Sequence, residues 1–254
     1  ISAVPGREDQ FKAAVEEAYD YAATLKPFTM NVLCGWPSME EFTREQCLNV
    51  LAGNLEYAAT AFADTGATVL TEAVNNKDRP GYLINYTADA LDIIDRAGHP
   101  NLKIEYDLYH MQIMEGDICR TVERLLPRIP HIQIADNPGR HEPGTGEINY
   151  ANVFKHMHRR GYDGIVGMEH GKSIGGKEGE GSSDACAAIA CSASSCLSLL
   201  APSCVRAYHC GPAEAKSESC CLRTAAATLE QEQTRCCACE SDAEATAAPE
   251  SRVW

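Results

Sequence analysis

Basic residues are scarce in this chain, with 22 Lys and Arg against 36 Asp and Glu and a net charge of −14. Binding a nucleic-acid backbone needs clustered Lys and Arg, so a nucleic-acid partner is not expected. There is no run of 18 apolar residues, so no membrane span is expected. The first ten residues, ISAVPGREDQ, have neither a basic stretch nor an apolar one, so no signal peptide is expected there. No GxGxxG or GxxxxGK[ST] follows any strand-like segment, which weakens a nucleotide-binding reading. Cysteine is sparse in residues 1–180 (Cys34, Cys47 and Cys119), while residues 181–254 hold the other ten. The first segment therefore reads as a domain of a reducing compartment, with a cytoplasmic location expected.

What is present in residues 1–180 is an alternation of helix-like and strand-like stretches. Helices are expected at 6–25, at 38–66 (capped by Ser38 with Glu41 three residues on), at 87–98 (capped by Thr87), at 117–126 and at 148–161. Strands are expected at 28–35, 67–75, 102–107, 131–136 and 163–171. This is the grammar of a parallel α/β fold, and a doubly wound sheet and a (β/α)8 barrel compete for it. Residues 181–254 have no such period and are rich in Ala, Ser and Cys. That tail is expected to be disordered or a non-native reading of the coding sequence. The expected domains are thus 1–180 and 181–254.

The later strands share a feature. Glu72 in ATVLTEA, Asp107 in LKIEYD, Gln133 in HIQIAD and Glu169 in GIVGMEH each lie near a C-terminal strand end, opposite apolar neighbours. One acidic residue there serves more often as a helix cap, but four at matching parity are hard to produce by chance. Active sites of (β/α)8 barrels sit at that end. Three buried carboxylates repel one another unless a proton or a cation neutralises them. An all-oxygen set suits Mg²⁺ or Mn²⁺ better than zinc. His110 is expected at the rim as a substrate contact or a support to the ligands. The glycine-rich GKSIGGKEGEG, the CCAC cluster and the histidines of KHMHRR read as a flexible loop, adventitious thiols and helix surface.

The stretches LTEAVNNKDRPGYLIN, IEYDLYHMQIMEGD, HIQIADNPGRHEPGTGEINY and GMEHG resemble hydroxypyruvate isomerases of the xylose-isomerase-like TIM-barrel superfamily, over about residues 3–180. The resemblance implies that Glu72, Asp107, Gln133 and Glu169 are metal ligands and that Glu72 and Glu169 are the acid/base pair. It implies interconversion of hydroxypyruvate and tartronate semialdehyde through an enediolate, with a small hydroxy-oxo acid as the molecular partner. Arg140 is the first choice for the substrate carboxylate and Lys172 the second. It also implies a partial barrel, the last five of eight strands, with the family's eighth helix replaced by the tail. Open edges at both ends of such a sheet make a homo-oligomer one expected assembly. Two alternatives stand: a ketose 3-epimerase, against which Gln133 speaks because those enzymes place His there, and a truncated, inactive product unable to close the barrel.

Overall fold

A computed structural model of the chain describes residues 1–171. The elements run α1 (Glu8–Leu25), β1 (Thr29–Asn31), α2 (Arg44–Ala61), β2 (Thr68–Glu72), α3 (Thr87–Ala97), β3 (Leu102–Asp107), α4 (Leu108–Met114), α5 (Ile118–Leu125), a 3₁₀ turn (Leu126–Arg128), β4 (His131–Ile134), α6 (Tyr150–Arg159) and β5 (Ile165–Met168). The five strands are all parallel and lie in chain order, β1-β2-β3-β4-β5. A doubly wound sheet reverses its strand order at a switch point; this one never does, so it is half a barrel wall. The expected tail and the boundary at residue 180 lie outside the described residues. Among the described residues, no helix is long and apolar enough to cross a membrane.

The outward strand faces carry Val69, Leu102, Ile104, Tyr106, Ile132 and Ile134, all buried. Leu48, Leu51 and Leu55 of α2 and Ile93 and Ile94 of α3 close over that layer, which is why the strands read as apolar on one side. The inward face holds Glu72, Glu105, Asp107, His131 and Gln133, with Leu70 as its apolar exception. Register sets Glu72 beside Glu105 and Asp107 beside Gln133, in successive layers of the half-barrel.

Three helix boundaries correct the sequence reading. α2 starts at Arg44, not Ser38: Thr43 accepts the Gln46 N–H at 3.2 Å while Gln46 Oε1 accepts the Thr43 N–H at 2.9 Å. SMEE and TREQ both satisfy the capping-box pattern. The second wins because the buried stripe of α2 begins at Cys47, whereas Met39 would present its side chain to water. That helix also ends at Ala61, and Gly66 belongs to the following turn. Thr87 is the first residue inside α3, not its cap; Asp89 Oδ2 takes the N–H groups of Asn85 and Tyr86, and Thr87 binds Glu115 instead. Finally, a helix unseen in the sequence, α4, springs directly from β3, and Gly116 and Asp117, both at positive φ, separate it from α5.

Candidate active site

Asp107 shows how the sequence builds the site. It ends β3 and also caps α4, its Oδ1 accepting the Tyr109 N–H at 2.7 Å and the His110 N–H at 3.4 Å. That leaves Oδ2 facing the barrel interior. The same short helix turns His110 inward, so this residue is buried in the site wall; the expectation of a rim position is corrected. His110 Nε2 lies 3.5 Å from Asp107 Oδ2 and 3.7 Å from Glu72 Oε1. Glu72 ends β2, and its Oε2 accepts from Asn31 Nδ2 of β1 at 3.0 Å.

Glu169, one residue past β5, is held from the loop between β4 and α6. Arg140 Nη2 lies 2.8 Å from Glu169 Oε2 and 3.4 Å from Asp107 Oδ2, and its guanidinium lies over the Tyr109 ring at 5.4 Å. Arg140 is therefore no free surface arginine. Its loop is organised by the fully buried Asp136, which accepts the N–H groups of Asn137, Gly144 and Ile148.

Burial in a crowd of like charges raises the proton affinity of Glu72 well above the ordinary carboxylate range, with Glu105, Asp107 and Glu169 adding repulsion. Burial likewise raises Asp107, against the lowering effect of Arg140, and raises Glu169 against the same opposing charge. Burial, then Asp107 and Glu169, push Glu105 up to about 8. His110 moves the other way, to about 3, through burial and then Arg140, so its ring is neutral.

Glu72, Asp107 and His110 offer atoms within 4.8 Å of one another, a spacing that could hold a metal ion. Gln133 stands beside Asp107, and its Oε1 is buried with no hydrogen-bond partner among the described residues. Of the residues singled out in the sequence, Glu72, Asp107, His110, Arg140 and Glu169 are brought together; Lys172 lies outside the described residues. Glu105 was overlooked, although its parity with Asp107 in IEYD was visible. So were Asn75 and Asp78 of the loop after β2, where Asp78 accepts the Tyr109 hydroxyl at 2.5 Å. Only the Asn-x-x-Asp spacing, a turn signal, marked them.

The sequence profile of the xylose isomerase-like TIM barrel family matches residues 2–190. The chain belongs to that family. It is similar to the hydroxypyruvate isomerase of Escherichia coli, 44% identical over 170 residues that cover 67% of this chain and 66% of that protein. It is also similar to the 2-oxo-tetronate isomerase of Cupriavidus necator, 39% identical over 71% of this chain and 69% of that protein. The chain thus spans about two thirds of the length of these relatives. Among solved structures, a family 2 AP endonuclease from Brucella melitensis superposes with a TM-score of 0.65 at 37% identity, covering 68% of this chain and 67% of that one. A D-psicose 3-epimerase from Clostridium cellulolyticum H10 gives 0.62 at 19% identity, covering 77% and 72%, and shares the fold alone.

Proposed function

We propose that this family member is an isomerase of small hydroxy-oxo acids, interconverting hydroxypyruvate and tartronate semialdehyde with the help of a divalent metal ion. The observation that carries the reading is the convergence of Glu72, Asp107, His110, Arg140 and Glu169 at the C-terminal strand ends. The names of the two relatives, hydroxypyruvate and 2-oxo-tetronate isomerase, supply the substrate class, since both denote 2-oxo acids that carry hydroxyl groups.

The donor set fits a hard cation. Glu72, Glu105, Asp107 and Glu169 crowd together, Arg140 is the cation paired with Asp107 and Glu169, and the Gln133 oxygen has no hydrogen-bond partner among the described residues. Glu72, Asp107, Gln133 and Glu169 would hold Mg²⁺ or Mn²⁺ through oxygen. Such an ion, when bound, supplies positive charge to the oxygens on which charge develops.

The chain's own groups do the rest. Isomerisation takes a proton from the hydroxymethyl carbon, passes through an enediolate, and returns a proton to the neighbouring carbon. Glu72, at the end of β2, and Glu169, just past the end of β5, divide that removal and return between them. Arg140 offers its guanidinium to the substrate carboxylate, exchanging it for a protein carboxylate with which it is already paired. His110 faces the same space with Nε2.

The test is turnover of hydroxypyruvate by the purified chain with Mn²⁺, with Mg²⁺ and with EDTA, beside Glu169→Gln. Metal-dependent turnover, lost by a factor of at least ~10² in the variant as expected for an acid/base group, supports the reading. A folded chain with no turnover under any of these conditions, alongside activity in a version that carries the full barrel, would mean that the residues are a remnant and this product is not an enzyme.

A further inference from the structure

We infer that Asn75 is a positioning residue that fixes the tautomer of His110, and thereby makes this imidazole a hydrogen-bond donor in the site and not a metal ligand. Asn75, in the loop after β2, is fully buried. Its Oδ1 accepts the backbone N–H of Lys77 at 3.0 Å and of Asp78 at 2.8 Å. These two donors settle which end of the amide is oxygen, because a flipped amide would aim its NH₂ at two N–H groups. Its Nδ2 then donates to Asp78 Oδ2 at 3.0 Å and faces His110 Nδ1 at 2.6 Å. Both donors and both lone pairs of the amide are thereby in use.

The consequence falls on the imidazole. A nitrogen that faces an N–H donor must accept, so His110 Nδ1 carries the lone pair and Nε2 the proton. A metal-bound histidine ordinarily does the reverse, donating through one nitrogen to an acceptor behind it and leaving the other nitrogen for the ion. Here the group behind the ring is a donor. Distance alone would admit His110 with Glu72 and Asp107 as a three-residue cation site. The hydrogen-bond pattern removes it, since one nitrogen is engaged by Asn75 and the other is protonated. Nε2–H points toward Glu72 Oε1 and Asp107 Oδ2, the space in which a substrate oxygen would be received. That last role rests on the isomerase reading; the tautomer does not.

Asp78 keeps the device in place. It takes Asn75 Nδ2 on the same oxygen that accepts the Tyr109 hydroxyl, so the loop is tied to the helix that carries His110.

The test is a long-range proton–nitrogen correlation spectrum of the full chain labelled with ¹⁵N-histidine at neutral pH, with His110 identified by its loss in His110→Gln. The expected wild-type spectrum shows His110 protonated at Nε2 and bare at Nδ1, unchanged on adding Mg²⁺. In Asn75→Asp, which keeps the acceptor for Lys77 and Asp78 but replaces the donor, the proton moves to Nδ1. A wild-type ring protonated at Nδ1 or at both nitrogens overturns the proposal. Loss of the Nε2 proton on Mg²⁺ addition, or a folded Asn75→Asp chain with the wild-type tautomer, does so equally. If that variant does not fold, the wild-type spectrum with and without Mg²⁺ decides alone. Turnover is not needed for this readout, so failure of the isomerase reading would leave the tautomer standing, and the reverse.

Discussion

Glu105 is the residue whose titration reports most directly on the crowding of the inward face. Its folded pKa lies at about 8, through burial first and then Asp107 and Glu169, against an ordinary carboxylate value near 4.5. Between those limits the folded chain holds a proton that the unfolded chain has released. Stability contributed this way is fully present below the unfolded pKa and is lost as pH rises through the folded one. Glu72, Asp107 and Glu169 are raised too and act in the same sense. The metal-free chain is therefore expected to unfold at progressively lower urea concentration as pH goes from about 5 to about 8; a rising midpoint over that window would contradict the crowding. The shared inward face of Glu72, Asp107 and Gln133 was legible in the sequence because period-2 alternation fixes which face of a strand a side chain takes. Glu105 obeyed the same rule and was passed over because it lies one layer deeper than Asp107. Asn75 and Asp78 were hidden for a different reason: loop residues have no period, and their partners His110 and Tyr109 are more than thirty positions away.

At the scale of elements, the strands were read to within a few residues, and the helices failed where two signals competed or none was strong. α2 offered two capping boxes, and the choice depended on which start aligned Cys47, Leu48 and Leu51 with the sheet. Thr43→Ala should accordingly lower stability by about 0.5–2 kcal/mol, the usual cost of losing an N-cap side chain, whereas Ser38→Ala should change it little; chemical denaturation of both variants checks the assignment. α4 has only seven residues, too short for a periodic pattern, and exists because Asp107 caps it at the end of β3. The loop that carries Arg140 has its own constraint. A Cβ on Gly146 would collide with the Asn137 carbonyl and with Asp136 Oδ1. Gly146→Ala should therefore displace the loop and reduce turnover of hydroxypyruvate more than it reduces the melting temperature, measured on the same preparation. Equal wild-type turnover in the variant would show that the loop does not place Arg140 for the reaction.

For the molecule as a whole, parallel strands in unbroken chain order make a half-barrel with an apolar outer layer and an acidic inner face. The alternation of elements was enough to foresee a parallel α/β fold but left a wound sheet and a barrel wall open, because strand order is a property of long-range pairing; the polar strand ends and the family resemblance pointed to a partial barrel, and the unbroken strand order bears that out. The proposed function rests on cation binding by the acidic inner face. It is tested most directly by calorimetric titration of Mn²⁺ into the metal-free chain, beside Asp107→Asn and with melting temperatures recorded on the same samples. One Mn²⁺ per wild-type chain is expected, and at a hundredfold excess over Kd a stabilisation of about 2.7 kcal/mol, which raises Tm by roughly 5–10 °C. Asp107→Asn should bind far more weakly and gain little. A folded wild-type chain that neither binds Mn²⁺ nor is stabilised by it would contradict a cation site there, and protons and Arg140 would then be what neutralises these carboxylates.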